Sequence, residues 1–431
     1  MLMMRTDYAE NAMKKAGQEV VVAGWVHEIR DLGKLIFIQL RDKTGKIQVT
    51  AKKGNVPEEV LGKMKRNKED VISVRGTVTE NKVAPGGFEV VPSEIEVLGV
   101  VEKKLPIDPT GVVDSDMDTR LNFRYLDLRR PEVGAIFKIK SAIIQEFRRK
   151  TVDMGFQEIH PTHIVAAATE GGTEVFPVEY FEQKAFLAQS PQLYKQLAVV
   201  GGIDKVMITS PVWRAEKHHT TTHLNEVIQM DVEMGFADDT DAMGLLSEVS
   251  LSVLRNVAEM KEELALLKTE IEVPSEVKRY TYTEILDKLN SEGESLEWGE
   301  DLSKEQEKKI YEVLGEELVI INDWPTESRA FYSMPREDKP EVCKAYDLLY
   351  RGLEISSGAQ RIHVPELLEE QLKKRGLDPL NFQFYIDAFR VGAPPHSGWS
   401  IGLERITMKA TGMQNIRECM MFPRDRTRVH P

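Results

Sequence analysis

A chain of 431 residues with 41% apolar and 29% charged residues can build two or three domains with their own cores, and no run of ~18 apolar residues marks a membrane span. Two cysteines, Cys343 and Cys419, exclude a disulfide framework and a cysteine zinc site, and Met1 to Glu10 holds no apolar signal core, so a cytoplasmic protein is expected. The net charge of −13 argues against indiscriminate polyanion binding, yet residues 1–105 hold 18 Lys and Arg against 15 Asp and Glu, so a weakly basic module precedes an acidic one.

Five segments read as strands: Val20 to Ile29, Leu35 to Arg41, Lys46 to Lys52, Val71 to Thr79 and Phe88 to Leu98. A helix over Pro57 to Arg66, opened by a proline at a permitted first-turn position, separates the third from the fourth. Three strands, a helix and two strands is the order of an OB-fold barrel, expected over 1–102. If Ile36, Ile38 and Leu40 fill it, Phe37 and Gln39 face outward beside Arg30 and Arg41. An outward aromatic so placed either stacks a splayed RNA base or packs on a neighbouring domain, and both readings stay open.

Residues 103–131, with Pro106, Pro109, Gly111 and the acidic run Asp114 to Asp118, read as a linker. A second domain over 132–431 opens with an amphipathic helix from Glu132 to Met154. Within it, about 240–330 is rich in Glu, Lys and Leu at helical spacing and reads as a helical insertion whose charges form solvated faces. The expected fold class is multidomain α+β.

Val206 to Glu216 and His223 to Phe236 read as an antiparallel hairpin. Its second strand alternates, with Ile228, Met230, Val232, Met234 and Phe236 on one face and Val227, Gln229, Asp231, Glu233 and Gly235 on the other. Arg214, at the end of the first strand, can clamp a phosphate oxygen bidentately. A further strand pair, Lys344 to Tyr350 and Leu353 to Ser356, brings Glu354 near Ser357, a carboxylate and a hydroxyl that suit Mg²⁺, with Arg361 four residues on. Taken alone, these residues also fit a surface salt-bridge cluster. Gly398 to Arg405 is a glycine-containing turn into a helix, and Arg405 falls in the first turn, where a helix N-terminus favours an anion.

From about residue 20 onward, these segments resemble archaeal-type aspartyl-tRNA synthetases. The resemblance is carried by Ala168 to Glu174, Ser190-Pro191-Gln192-Leu193-Tyr194-Lys195, Trp213-Arg214-Ala215-Glu216, His223-Leu224-Asn225-Glu226, Glu354 to Arg361, Pro394-Pro395-His396 and Phe422-Pro423-Arg424-Asp425. It implies an anticodon-binding OB domain joined to a class II antiparallel sheet flanked by helices, working as a homodimer. ATP would be held by Arg214, Ala215, Glu216, Thr222, His223, Leu224, Glu354, Gly402, Leu403, Glu404 and Arg405, and Mg²⁺ by Glu354 and Ser357. Aspartate would be held by Glu170, Gln192, Leu193, Tyr194, Lys195, Arg214, Ser357 and Arg361, with Asp231 and Glu233 at its α-amino group. Arg214, Glu354 and Arg405 would carry the catalysis.

Lys195 and Arg361 suit a side-chain carboxylate, and in the related asparaginyl enzymes the position of Lys195 looks apolar, which favours aspartate over the asparaginyl alternative. Three departures from the family pattern stand out: the first class II motif has its proline shifted to Pro161, Thr222 stands where arginine is common, and Val227 replaces an adenine-stacking aromatic of bacterial relatives. His27 and Pro85 resemble the members that aspartylate both tRNA(Asp) and tRNA(Asn), whereas members restricted to tRNA(Asp) carry Trp and Lys there. Asp-tRNA(Asn) would then pass to an amidotransferase. His27, Arg30, Phe37, Gln39 and Pro85 are accordingly the expected anticodon contacts.

Overall fold

Alternation of buried and half-buried residues, cleanest over residues 35–40, marks the strands of a closed barrel in the first hundred residues. In the computed structural model, which describes residues 3–166, 175–216 and 220–430, the chain divides into units 1–114 and 115–431. The first contains β1 (Glu19–Asp31), β2 (Leu35–Asp42), β3 (Gly45–Lys52), β4 (Val71–Glu80) and β5 (Phe88–Gly99), closed in the order β1-β2-β3-β5-β4. A short helix, Glu58–Lys63, lies between β3 and β4. Ile36, Ile38 and Leu40 are buried with Val20, Val22, Val49, Val74 and Val90, while Phe37 is half-buried on the outside. Closure leaves no free strand edge. Arg41 departs from the expected outward polar set: it is buried and bonded to the buried Glu69 at 2.7 Å. A guanidinium there is tolerable because its counter-ion is buried with it.

The second unit contains β6 (Gln157–Glu158), β7 (Ile164–Val165), β8 (Pro177–Tyr180), β9 (Gln183–Leu187), β10 (Lys205–Trp213), β11 (Glu226–Gly235), β12 (Lys278–Thr281), β13 (Leu318–Pro325), β14 (Val342–Tyr350), β15 (Leu353–Gln360) and β16 (His396–Gly402). Eight of them form one sheet, β12-β13-β14-β15-β16-β11-β10-β6, and β7-β9-β8 form a small one. The sheet is not wholly antiparallel as expected. β6 runs parallel to β10 and β12 parallel to β13. Each parallel pair is joined through helices, Gln192–Val200 in the first case and Tyr282–Ser291 with Lys304–Leu314 in the second, and such crossovers return a chain in its original direction.

Two boundaries also move. Inside the stretch expected to be a helical insertion lie β12 and β13. The helix Asp239–Ala258 buries Ala242, Leu246, Val249, Val253 and Val257, at spacings of three and four, in the main core. The second half of the expected linker is likewise part of this unit: helices Met117–Asn122 and Arg124–Asp127 bury Leu121, Leu126 and an Arg124–Asp127 pair at 2.6 Å, and Arg124 also donates to the Glu418 carbonyl. Proline and acid content resembled a linker because Asp116 is a helix cap, its carboxylate accepting from the Thr119 N–H.

One face of the large sheet (Met230, Val232, Leu348, Ile355, Trp399 and Ile401) packs on helices Pro131–Asp153, Asp239–Ala258 and Leu403–Thr411. Phe236 does not continue that face: β11 ends at Gly235, and Phe236 is exposed in a left-handed conformation with φ 56°. The opposite face of β11 carries Gln229, Asp231 and Glu233.

Candidate active site

Register places one polar row across four strands. Asp347 of β14 pairs with Ser357 of β15, Ser357 with Ser400 of β16, and Ser400 with Asp231 of β11. Side chains aligned in this way share a face, and Gln229 and Glu233 share it two residues to either side.

At the Gln229 end lies a cleft lined by Arg214, Glu216, Thr222, His223, Leu224, Glu354, Ser357, Gly402, Glu404 and Arg405. The side chains of Ala215 and Leu403, also expected there, do not line it, although the residues on either side of each do. Ala215 lines an adjacent apolar groove with Trp213 and Leu187, and Leu403 is in the core. Arg405 donates from Nη1 to the Glu354 carbonyl at 3.0 Å and lies 3.5 Å from its carboxylate. Its Nη2 is 3.2 Å from His223 Nε2. Burial, then the charges of Arg405, Lys304 and Arg214, push the His223 imidazole down to about 4, so at neutral pH it accepts from Arg405. The carboxylate of Glu404 ties the helix to its surroundings, accepting from Lys140 at 2.6 Å and from the Ile228 N–H at 2.9 Å.

Glu354 stays ionised despite desolvation, because Arg405, Lys304, Arg329 and Arg214 all favour its charged form. Beside it, Asp347 is buried, paired with Arg329 and accepting from Ser357. Desolvation pushes its carboxyl up to about 6. Glu354, Ser357 and Asp347 are hard oxygen donors and suit Mg²⁺. Among the described residues no group of three or more His, Cys, Asp and Glu could hold a metal by itself, so an ion here would share its shell with phosphates and water.

Under the Asp231 end of the row, the helix Gln192–Val200 supplies the buried Lys195. Its Nζ donates to Asp231 Oδ1 at 3.0 Å and to the carbonyls of Val232 and Trp399 at 3.3 Å each, and Glu233 is 3.5 Å away. Arg361 is gripped side-on by Glu233, with Nε to Oε1 at 2.9 Å and Nη2 to Oε2 at 3.1 Å. The two cations expected to await a substrate carboxylate are therefore already held by Asp231 and Glu233, because a bare buried cation would be costly. Clamped between Arg361 and Lys195, Glu233 stays ionised, whereas burial raises Asp231. Among the described residues, no hydrogen bond takes Nη1 of Arg361. Gln192 is buried on the same helix, Tyr194 is half-buried and Leu193 packs in an apolar cluster, so only its backbone is available to a ligand. Glu170 lies outside the described residues.

On the barrel, β1 and β2 carry four of the expected RNA contacts. Arg30 is opposite Phe37, and Gln39 is 3.4 Å from Gln48 of β3. His27 sits at a bulge in β1, with Nδ1 3.1 Å from Arg41 and Nε2 2.7 Å from Lys46. Burial, then the neighbouring cations, lower its pKa. Pro85 is exposed on a different element, the β4–β5 connection.

The family model for class II tRNA synthetases (D, K and N) matches residues 116–426, and that for OB-fold nucleic acid binding domains matches 20–98. The chain belongs to the class II tRNA synthetases. This synthetase is 50% identical over 431 residues to the aspartate–tRNA(Asp/Asn) ligase of Methanocaldococcus jannaschii, covering 99% of this chain and 98% of that one. It is also 50% identical over 427 residues to the enzyme of the same name from Methanopyrus kandleri, with 98% of each chain covered. Among solved structures it is similar to an asparaginyl-tRNA synthetase of Pyrococcus horikoshii bound to asparaginyl-adenylate. That match has a TM-score of 0.92 and 31% identity and covers 100% of both chains.

Three residues of the synthetase escaped the sequence reading. Asp347 could have been found from its alternation on β14 opposite Ser357. Lys304, 3.8 Å from the Glu354 carboxylate, and Glu307, whose Oε2 accepts the Glu354 N–H at 2.8 Å, come from the stretch read as solvated helix faces. Nothing local marks them, since only the tertiary fold brings that helix onto β15.

Proposed function

We propose that this synthetase activates L-aspartate with ATP and loads it onto tRNA(Asp) and tRNA(Asn). The observation that carries the choice of aspartate is the buried Lys195 and Arg361 pair on the polar face, with Arg361 Nη1 left over from the Glu233 clamp. A substrate carboxylate at Nη1 completes the guanidinium, and replacing one 3.3 Å carbonyl contact of Lys195 needs only a small shift. The neutral amide of asparagine offers neither cation a counter-charge, and a mismatch of this kind can reject an analogue by roughly 10⁴-fold. The names of the relatives at 50% identity agree with aspartate, and the asparaginyl neighbour is more distant at 31%.

In the first step the aspartate α-carboxylate attacks the α-phosphorus of ATP in line, forming the mixed anhydride as pyrophosphate leaves. Both reactants are anions. Arg214 and Arg405 lower their repulsion and stabilise charge developing on the phosphate, while the cleft supplies proximity. Mg²⁺, held by Glu354 and Ser357, would neutralise phosphate charge. Gln192 and Arg361 orient the amino acid, and no side-chain nucleophile is required. In the second step the terminal ribose hydroxyl of tRNA attacks the anhydride carbonyl and AMP leaves.

The tRNA range rests on the barrel surface. His27 and Pro85 occupy positions where restricted members carry larger Trp and Lys, and a smaller contact surface discriminates less between anticodons. On this reading Asp-tRNA(Asn) feeds an amidotransferase, and the synthetase works as a homodimer. Aminoacylation of each purified tRNA with aspartate tests the range: kcat/KM values within about tenfold are expected, and a ratio above ~10³ against tRNA(Asn) would overturn it.

A further inference from the structure

Behind the amino-acid subsite a buried chain of polar side chains continues from Gln192 to residues for which the reaction as described has no role. It joins Gln192 and Gln196 of the helix Gln192–Val200, His396 at the start of β16 and Tyr385 of the helix Gln383–Arg390. Gln196, His396 and Tyr385 are fully buried and Gln192 nearly so.

The direction of every bond follows from one group that cannot donate. The Pro394 carbonyl lies 2.8 Å from His396 Nδ1, so Nδ1 carries the proton. Burial holds the imidazole below its ordinary pKa, which keeps it neutral and leaves Nε2 as an acceptor. Gln196 must then present its amide nitrogen to Nε2, at 2.9 Å. Its carbonyl oxygen is turned the other way, accepting from Tyr385 Oη at 2.9 Å and from Gln192 Nε2 at 2.8 Å. Gln192 has its nitrogen committed, and its Oε1 diverges from the same carbon on the opposite side. The Arg361 N–H also donates to the His396 carbonyl at 2.8 Å, which ties this chain to the Glu233 clamp.

An amide held in this sense offers an oxygen, and so selects a cationic donor over a carboxylate. We propose that His396, Gln196 and Tyr385 are positioning residues that fix Gln192 with its carbonyl oxygen as acceptor for the α-ammonium of the amino acid. The proposal rests on the reading that Gln192 touches the amino acid. The relay chooses which end of Gln192 does so.

Two probes separate polarity from bulk: aspartate, and succinate, which is aspartate without the amino group. In ATP–pyrophosphate exchange, Gln196→Met is expected to raise the aspartate KM about tenfold, the scale of a hydrogen bond to a charged group. The inhibition constant of succinate and the ATP KM are expected to move less than twofold. Tyr385→Phe, which keeps the His396–Gln196 bond, should shift the same ratio in the same direction by less, and it serves if Gln196→Met does not fold. Equal weakening of aspartate and succinate would overturn the relay, since a loosened subsite does not distinguish them. An unchanged aspartate KM in Gln196→Met, alongside a raised one in Gln192→Met, would also overturn it. An unchanged KM in Gln192→Met would instead remove the reading of Gln192 on which it rests.

Discussion

Lys195 shows how a single residue serves both stability and specificity. Its ammonium is buried and its three protons are taken by Asp231, Val232 and Trp399. Lys195→Met would leave Asp231 without its cation in a desolvated position, and breaking a buried pair from one side costs about 3–5 kcal/mol. Urea unfolding at pH 7 should show that loss, and adding Asp231→Asn should restore part of it by removing the stranded charge. No loss in the single variant would mean that the pair is solvated. The sequence marks Lys195 as important through the motif around it. It does not reveal that Asp231 and Glu233 already hold both cations, because that depends on which side chains meet beneath the sheet.

At the scale of elements, alternation and glycine placement carry most of the information. β2 and β11 are readable because a periodicity of two separates their apolar from their polar face, and the helix Leu403–Thr411 because a glycine turn precedes it and Gly412, at φ 72°, closes it. Parallel β12 is not readable: it is four residues long and half of its pairing information lies in β13, forty residues away. Close approach of strands is equally hidden. A Cβ on Gly358 would lie 2.4 Å from the Tyr346 ring and 2.8 Å from the Gly398 carbonyl, so Gly358→Ala must push β14 and β16 apart next to Ser357. Overpacking of this kind typically costs about 1–3 kcal/mol. A lowered urea midpoint together with a raised magnesium requirement in pyrophosphate exchange is expected, and a midpoint equal to that of the parent would refute the close packing.

At the scale of the whole molecule, the chain couples two units with different charge and different tasks. The barrel has its own apolar core, and Phe37 is half-buried on its outside opposite Arg30. The larger unit assembles Arg214, Arg405, Glu354, Lys195 and Arg361 from four separate segments onto one face of one sheet. Motifs in the sequence name most of these residues. Their convergence is a property of the register between β11, β14, β15 and β16, and the central claim is that this face brings two anions together and selects aspartate. ATP–pyrophosphate exchange with aspartate and with asparagine, in the presence of Mg²⁺, tests it most directly. Exchange driven by aspartate, with asparagine at least ~10³-fold less effective in kcat/KM, is the expected result; asparagine matching or exceeding aspartate would contradict the account.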